Sequence, residues 1–264
     1  MDYEIGYSRL VQRVLDEGTP RGGRNGVTQA IFGATLELEP RPGQLLLLRG
    51  RKMFYKGVLG ELAAFLKGPK HLDDFTKEGC NYWGQWAKED GSLTLDYGNA
   101  WLDFNGVNQL EQLIEKLQSN PTDRRLIISG WRPDRLEELS LPCCHLLYQW
   151  YVINGQLHMI WYQRSVDMML GLPSDVILAQ IWNHLIANEV GLQPGKIIMM
   201  LGDTHVYMVH KENAKVYTQL AETTRNTPYP TYNLHGMTTK NFDPSWVTVD
   251  GYNPLPKLDF ELIA

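Results

Sequence analysis

The stretch Leu146–Gln163, LLYQWYVINGQLHMIWYQ, decides the fold. Its halves, Leu146–Ile153 and Gln156–Gln163, are rich in aromatic and branched residues and read as strands. Between them stands Asn154-Gly155, the strongest short hairpin signal, because a tight two-residue turn needs backbone that accepts positive φ. Just before the hairpin lies Leu139–His145, read Leu-Ser-Leu-Pro-Cys-Cys-His. A thiol at the start of a strand is fixed in place while its sulfur can face a cleft. As a thiolate it is a strong nucleophile, and nearby arginines favour that form. A buried, inert cysteine pair is the other reading.

Working outward, Tyr7–Glu17 carries Leu10, Val11, Val14 and Leu15 at helical spacing, with Gly18 as a stop. Pro20–Gly26 reads as a Gly- and Arg-rich loop, either a solvated turn or two basic groups able to close over an anion. Thr28–Leu38 reads as a strand broken at Gly33. Phe54–Leu66 predicts a helix ended by Gly68-Pro69, with Glu61 inside it as either an exposed charge or a working one. The aromatic clusters Tyr82–Trp86 and Tyr97–Trp101 belong in a core or against a flat ring. Leu110, Leu113, Ile114 and Leu117 predict a surface helix ended by Asn120-Pro121. Asp123-Arg124-Arg125 precedes a strand at Leu126–Ser129; the arginines serve solubility or clamp an anion. Val176–Val190 reads as a long buried helix with Asp175 as its N-cap and Gly191 after it. Ile197–Leu201 is a strand leading into Gly202-Asp203-Thr204-His205-Val206-Tyr207, and a further strand is expected at Trp246–Val249. The pattern predicts an α+β fold, a mostly antiparallel sheet with helices over one face, in one domain spanning 1–264.

Composition removes several classes. A 264-residue chain with 43% hydrophobic residues can bury a sizeable core. A net charge of −5 with no basic block argues against a nucleic-acid polymer as partner, though a local arginine cluster can hold one phosphate. The three cysteines, two of them adjacent, suggest a reducing, cytoplasmic setting. No Cys/His spacing suggests a metal. The acidic start Met1-Asp2-Tyr3-Glu4 is unlike a signal peptide, and no apolar run would span a membrane.

Several motifs together resemble the thymidylate synthase family: Asp123-Arg124-Arg125, Cys144-His145, Gln163-Arg164-Ser165-Val166-Asp167, Leu170-Gly171-Leu172-Pro173 and Gly202-Asp203-Thr204-His205-Val206-Tyr207. Each alone is weak; all in order over nearly the whole chain are specific. The resemblance implies a homodimer on a twisted sheet that adds one carbon to C5 of a pyrimidine nucleotide, with 5,10-methylenetetrahydrofolate as donor. It also implies roles. Cys144 resembles the nucleophile that adds to C6 of the ring, with Arg164 lowering its pKa. Arg24, Arg164 and Ser165 match phosphate-binding groups, and Gln163 belongs to the same substrate motif. Arg124 and Arg125 match the pair that reaches the partner subunit's site. His205 and Tyr207 match the groups that hold the sugar 3′-hydroxyl. Asp167 resembles the pterin ligand, and Trp83, Trp86, Leu141, Leu170 and Gly171 resemble the folate-side wall. Glu61 and Tyr97 match the groups that organise water and proton transfer. Cys143 stands where the family usually has proline and receives no role.

The informative departure is Asp175. Family members that act on dUMP have asparagine there, whose amide reads uracil O4 and N3–H. An aspartate can accept from cytosine N4–H and share a proton with N3. Aspartate at this position marks the deoxycytidylate-specific members, the dCMP hydroxymethylases and methylases, so dCMP is the expected substrate. Hydride delivered to the ring's one-carbon group makes methyl; water makes hydroxymethyl, and water exclusion decides. Ser174 in place of a family phenylalanine, and Ala264 in place of a larger apolar residue, favour hydroxymethyl. The retained Trp83 and Leu141 favour methyl. The expectation is a dCMP 5-hydroxymethylase, suited to a virus that alters its DNA. The alternatives are a dCMP 5-methylase, a dUMP-specific thymidylate synthase, and a non-catalytic nucleotide- or RNA-binding protein of this fold.

Overall fold

The computed structural model describes residues 2–263. Met1 and Ala264, and the expectations placed on them, lie outside the described residues. Helix α1 (Tyr3–Glu17) begins four residues earlier than its apolar spacing suggests, because the Asp2 side chain caps it, accepting from the Ile5 amide at 3.2 Å. Strands β1 (Thr19–Gly23) and β2 (Gly26–Leu38) follow as an antiparallel hairpin. Pro20–Gly26 is thus a strand and a tight turn at Arg24-Asn25, a correction to the loop reading. Backbone pairing with β2 overrode the low strand preference of its glycines.

Helix α2 (Tyr55–Phe65) carries Glu61, and α3 (Leu72–Thr76) follows. A single 3-10 turn, Trp83–Trp86, and the short α4 (Asn99–Leu102) hold the two aromatic clusters. Helix α5 (Gln109–Ser119) matches its expected span; Asn108 caps it by accepting from the Glu111 amide at 3.0 Å. Strands β3 (Ile127–Ser129), β4 (His145–Ile153) and β5 (Gln156–Asp167) come next. Asn154 and Gly155 join β4 to β5 with φ of 51° and 74°, the twisted turn that the dipeptide foretold.

Helix α6 runs Gly171–Val190, five residues longer at its start than expected. Asp175 is therefore inside the helix and is not its N-cap; Leu170 occupies that position without a side-chain cap. Strand β6 (Gln193–Tyr207) absorbs the whole Gly202–Tyr207 motif. Helix α7 (Lys211–Thr223) and a small pair, β7 (Thr231–Asn233) with β8 (Thr248–Asp250), complete the described elements. The last strand lies two residues beyond the start of its expected span because Pro244–Trp246 forms a 3-10 turn.

The main sheet has the order β1-β2-β6-β5-β4-β3, antiparallel throughout except for the parallel β5–β6 pair. Helix α6, apolar nearly all round, covers its inner face. Trp182 stacks on Trp101 with ring centroids 3.9 Å apart, and Asn183 Oδ1 accepts from Trp150 Nε1 at 3.1 Å. Tyr148, Trp150, Met159 and Trp161 fill the space beneath it. On the opposite face Ile127, Leu147, Tyr151, Ile153 and Met200 stay exposed, Tyr151 at 61%. No helix among the described residues is long and apolar enough to cross a membrane.

Gly60 sets the depth at which α2 packs. A Cβ on it would lie 2.3 Å from the Glu78 carbonyl oxygen and 3.0 Å from the Cys80 amide. Gly60→Ala is therefore expected to lower the urea midpoint by the equivalent of about 1–3 kcal/mol. An unchanged midpoint would mean that the 78–80 backbone yields freely.

Candidate active site

Cys144 sits where the Leu139–His145 segment becomes β4. Its carbonyl accepts from the Arg164 amide at 2.9 Å, and its own amide donates to the Tyr97 hydroxyl at 2.6 Å. These bonds fix the thiol at the floor of a cavity of about 530 Å³. Arg164 Nη2 lies 4.0 Å from Cys144 Sγ, while the guanidinium also donates to the carbonyls of Cys143 (2.8 Å) and Pro142 (2.9 Å). Burial pushes the Cys144 thiol up, and Arg164 opposes this only in part. The resting group is a thiol, where proximity to arginine alone suggested a thiolate. The neighbouring Cys143 is buried, its thiol also pushed well up by burial, and does not line the cavity.

Two carboxyl groups face the same space. Asp175 projects from the start of α6, and Gln163 Nε2 donates to its Oδ2. His145 Nε2 is 3.9 Å from Asp175 Oδ1, but burial pushes that imidazole down to about 3, so it brings no positive charge. Burial first, then the nearby Glu61, hold the Asp175 carboxyl well above the usual carboxylate range. Glu61 Oε1 accepts from Trp83 Nε1 at 2.8 Å. Burial lifts Glu61 to about 7 against the opposing effects of the Tyr82 hydroxyl and Trp83. The pair thus combines a carboxyl biased toward its protonated form with one poised to exchange a proton near neutral pH.

Of the residues singled out from sequence, Glu61, Trp83, Trp86, Tyr97, Leu141, Cys144, Leu170, Gly171 and Asp175 line this one cavity. Gln163 stands behind Asp175, and Arg164 stands beside Cys144. A second group follows β5, β6 and the tip of the first hairpin. Ser165 pairs with Asp203 and Asp167 with His205 across the parallel strands. Asp167 Oδ1 accepts from the Met169 amide at 2.8 Å, and His205 Nδ1 lies 3.0 Å from Asp203 Oδ1. The Tyr207 phenol is pushed up by burial and by Asp167 and Cys144, and pulled down by Arg24, so these groups share one region. Within this chain Arg124 and Arg125 are not brought to the cavity; Arg125 is exposed and pairs with Asp123 at 3.0 Å.

Other lining residues carried no sequence signal. Arg51, buried, donates to the Met169 carbonyl, and its guanidinium lies 4.9 Å from the Phe260 ring centre. Phe260 and Leu258 belong to a tail without periodicity that closes one side of the cavity. His145 was visible in its motif, but its burial was not. The wall is mainly apolar and aromatic, and Trp86 Nε1 is buried there with no hydrogen-bond partner among the described residues. Such a wall with an unused donor suits a flat heterocycle. Among the described residues, no group of three or more His, Cys, Asp or Glu is arranged to hold a metal ion.

A cysteine, an adjacent arginine and two carboxyls with raised proton affinity in an aromatic slot define the class, an enzyme working on a planar ring. Comparison with known proteins narrows it. The family model described as Thymidylate synthase matches residues 5–264. A protein named Thymidylate synthase, from Corynebacterium aurimucosum, is 36% identical over 262 residues, covering 97% of this chain and 96% of that one. The chain belongs to the thymidylate synthase family, whose members are folate-dependent one-carbon transferases using methylenetetrahydrofolate.

The raised pKa of Glu61 has a stability consequence. The unfolded chain loses this proton near pH 4.5, and the folded chain near 7. The folded state therefore gains stability from this group below pH 4.5 and loses it as pH rises through 7. Glu61→Gln should match the parent in urea unfolding at pH 4.5 and exceed it at pH 8 by on the order of 3 kcal/mol. Equal differences at both pH values would exclude Glu61 as the titrating group.

Proposed function

We propose that this enzyme transfers a one-carbon unit from methylenetetrahydrofolate to C5 of dCMP and releases the 5-hydroxymethyl nucleotide. The observation that carries the base assignment is Asp175, a half-buried carboxyl held well above the usual carboxylate range on the cavity wall, where dUMP-using relatives are expected to have asparagine. Thiol addition at C6 of cytosine is favoured when N3 gains a proton. A carboxylic acid can supply that proton and accept from the exocyclic N4–H with its other oxygen. Asparagine has no acidic proton to give, and mispaired groups in a buried site cost roughly 1–3 kcal/mol each.

The remaining roles follow. The Cys144 thiol loses its proton, its sulfur adds to C6, and C5 becomes nucleophilic. The bound folate supplies the carbon at the oxidation level of formaldehyde. Trp83, Trp86, Leu141, Leu170 and Gly171 form its wall, and Asp167 holds its pterin. Glu61 and Tyr97 manage the protons at the reacting carbon. Arg24, Arg164 and Ser165 hold the phosphate, His205 and Tyr207 hold the sugar, and Gln163 orients Asp175. Ser174, a small polar side chain on the cavity wall, leaves room for water near the new carbon. The exposed apolar face of the sheet is the surface through which two copies pair, and Arg124 and Arg125 then reach the partner's phosphate site. The whole chain, 1–264, acts as one catalytic domain.

Reductive methylation of dUMP is the second reading, favoured by the name of the Corynebacterium relative. A neutral carboxylic acid can also present one donor and one acceptor to uracil. Turnover of dCMP and dUMP with methylenetetrahydrofolate, followed by mass spectrometry of the products, separates the readings. Release of dihydrofolate with a methyl product would count against hydroxymethylation. Asp175→Asn is expected to move the kcat/KM ratio toward dUMP by about 10-fold or more. Unchanged selectivity removes Asp175 as the base reader. Mixing inactive Cys144→Ala and Arg125→Ala proteins should restore activity through hybrid dimers; no rescue after subunit exchange speaks against a shared site.

A further inference from the structure

Tyr82 lines the cavity; its hydroxyl is shut off from bulk water, lies within reach of the Glu61 carboxyl and the Cys80 thiol, and makes no hydrogen bond of full geometry among the described residues. Protein groups thus meet its hydrogen-bonding capacity only in part, in a place where polar groups are normally satisfied. The hydroxyl lies close enough to the Glu61 carboxyl and the Cys80 thiol to shift the proton affinities of both. Its neighbourhood is built tightly. Gly60 lets α2 settle against the 78–80 backbone, which brings the segment leading to Tyr82 beside the helical turn that bears Glu61. Trp83, next in sequence, donates to Glu61 Oε1 at 2.8 Å. Glu61 therefore has an indole on one oxygen and an incompletely satisfied phenol nearby, both facing the cavity that Cys144 and Asp175 share.

A water molecule is the smallest group that would satisfy the phenol and touch the carboxylate together. We propose that Tyr82 is a positioning residue that holds the water used by Glu61, and so directs the reaction to the hydroxymethyl product. The inference rests on the reaction assigned above. After the folate leaves, the ring carries an exocyclic methylene at C5 and the Cys144 sulfur at C6. The water oxygen bonds to the methylene carbon, and its proton passes to the Glu61 carboxylate. The electron pair of the exocyclic double bond moves onto C5, then forms C5=C6 as the C6–S bond breaks and thiolate returns to Cys144. No oxidant or reductant is needed. Tyr82 would accept from or donate to the water without changing its own protonation state.

The test compares the parent enzyme with Tyr82→Phe, supplied with dCMP or dUMP and methylenetetrahydrofolate in ¹⁸O-labelled water. Products are weighed by mass spectrometry. The parent is expected to incorporate label into a hydroxymethyl product. Tyr82→Phe should still form the covalent adduct at Cys144 with a 5-fluoropyrimidine nucleotide, yet give about 10-fold less labelled product per turnover. Its acid-side pH limb should move up, because a group that lowers the Glu61 pKa is gone; Cys80, Asp175 and Trp83, the other groups near that carboxyl, are unchanged. A labelled-product fraction and pH limb equal to the parent's would overturn the role of Tyr82 alone. Methyl product and no label from the parent itself would overturn the assigned reaction, and the water role with it. If Tyr82→Phe does not fold, Tyr82→Met, which also lacks the hydroxyl, is read the same way.

Discussion

A single backbone hydrogen bond, from the Arg164 amide to the Cys144 carbonyl at 2.9 Å, ties the segment that carries the thiol to the centre of the sheet. It forms where β4 begins and the β4–β5 register shifts between His145 and Leu147. Successive residues on a strand point to opposite sides. Gln163 therefore reaches Asp175 on α6, while Arg164 reaches the carbonyls of Pro142 and Cys143 and the Cys144 sulfur. One strand thus sets both ends of the site, the sulfur at one and the carboxyl at the other. The parallel pairing of β5 with β6 carries the same register on to Asp167 and His205.

The electrostatics of the cavity follow from burial more than from pairing. His145, which could have balanced Asp175, is itself held neutral by burial. Glu61, Asp175 and Cys144 are all moved toward their protonated forms for the same reason. The described residues thus present a cavity whose acids are all biased toward their uncharged forms. Such a site suits proton exchange with a bound ring, because little solvent must reorganise when charge develops. The cost is borne in stability, since neutral carboxyls in a fold lose their advantage once the unfolded chain can ionise them.

Much of the framework was legible. Asn154-Gly155 named its turn, Asn120 ended α5, and Gly191 followed α6 in a left-handed conformation. The N-cap reading of Asp175, the alternative to its role as base reader, fails for an identifiable reason. The expected helix began at Val176, after Pro173, yet proline is tolerated in the first turn, where amides have no intrahelical partner. Helix α6 begins at Gly171 and simply takes Pro173 in. The first hairpin was missed because glycines weaken local strand preference, while the neighbouring β6, which pairs with β2 over ten positions, supplies the template.

Sequence alone determined the chemical types available and their order along the chain: the Cys-Cys-His run, the Gln-Arg-Ser motif, the aspartate before the long helix, and the family they resemble. Those are properties of covalent structure and short-range pattern. Tertiary structure decided that the aspartate is a half-buried carboxyl inside the helix and not its cap, that the thiol rests protonated despite its arginine, and that the Tyr82 hydroxyl lies beside Glu61 on the cavity wall. Each of these depends on how much water is excluded around a group, and exclusion is set by residues distant in the chain, which no local pattern records.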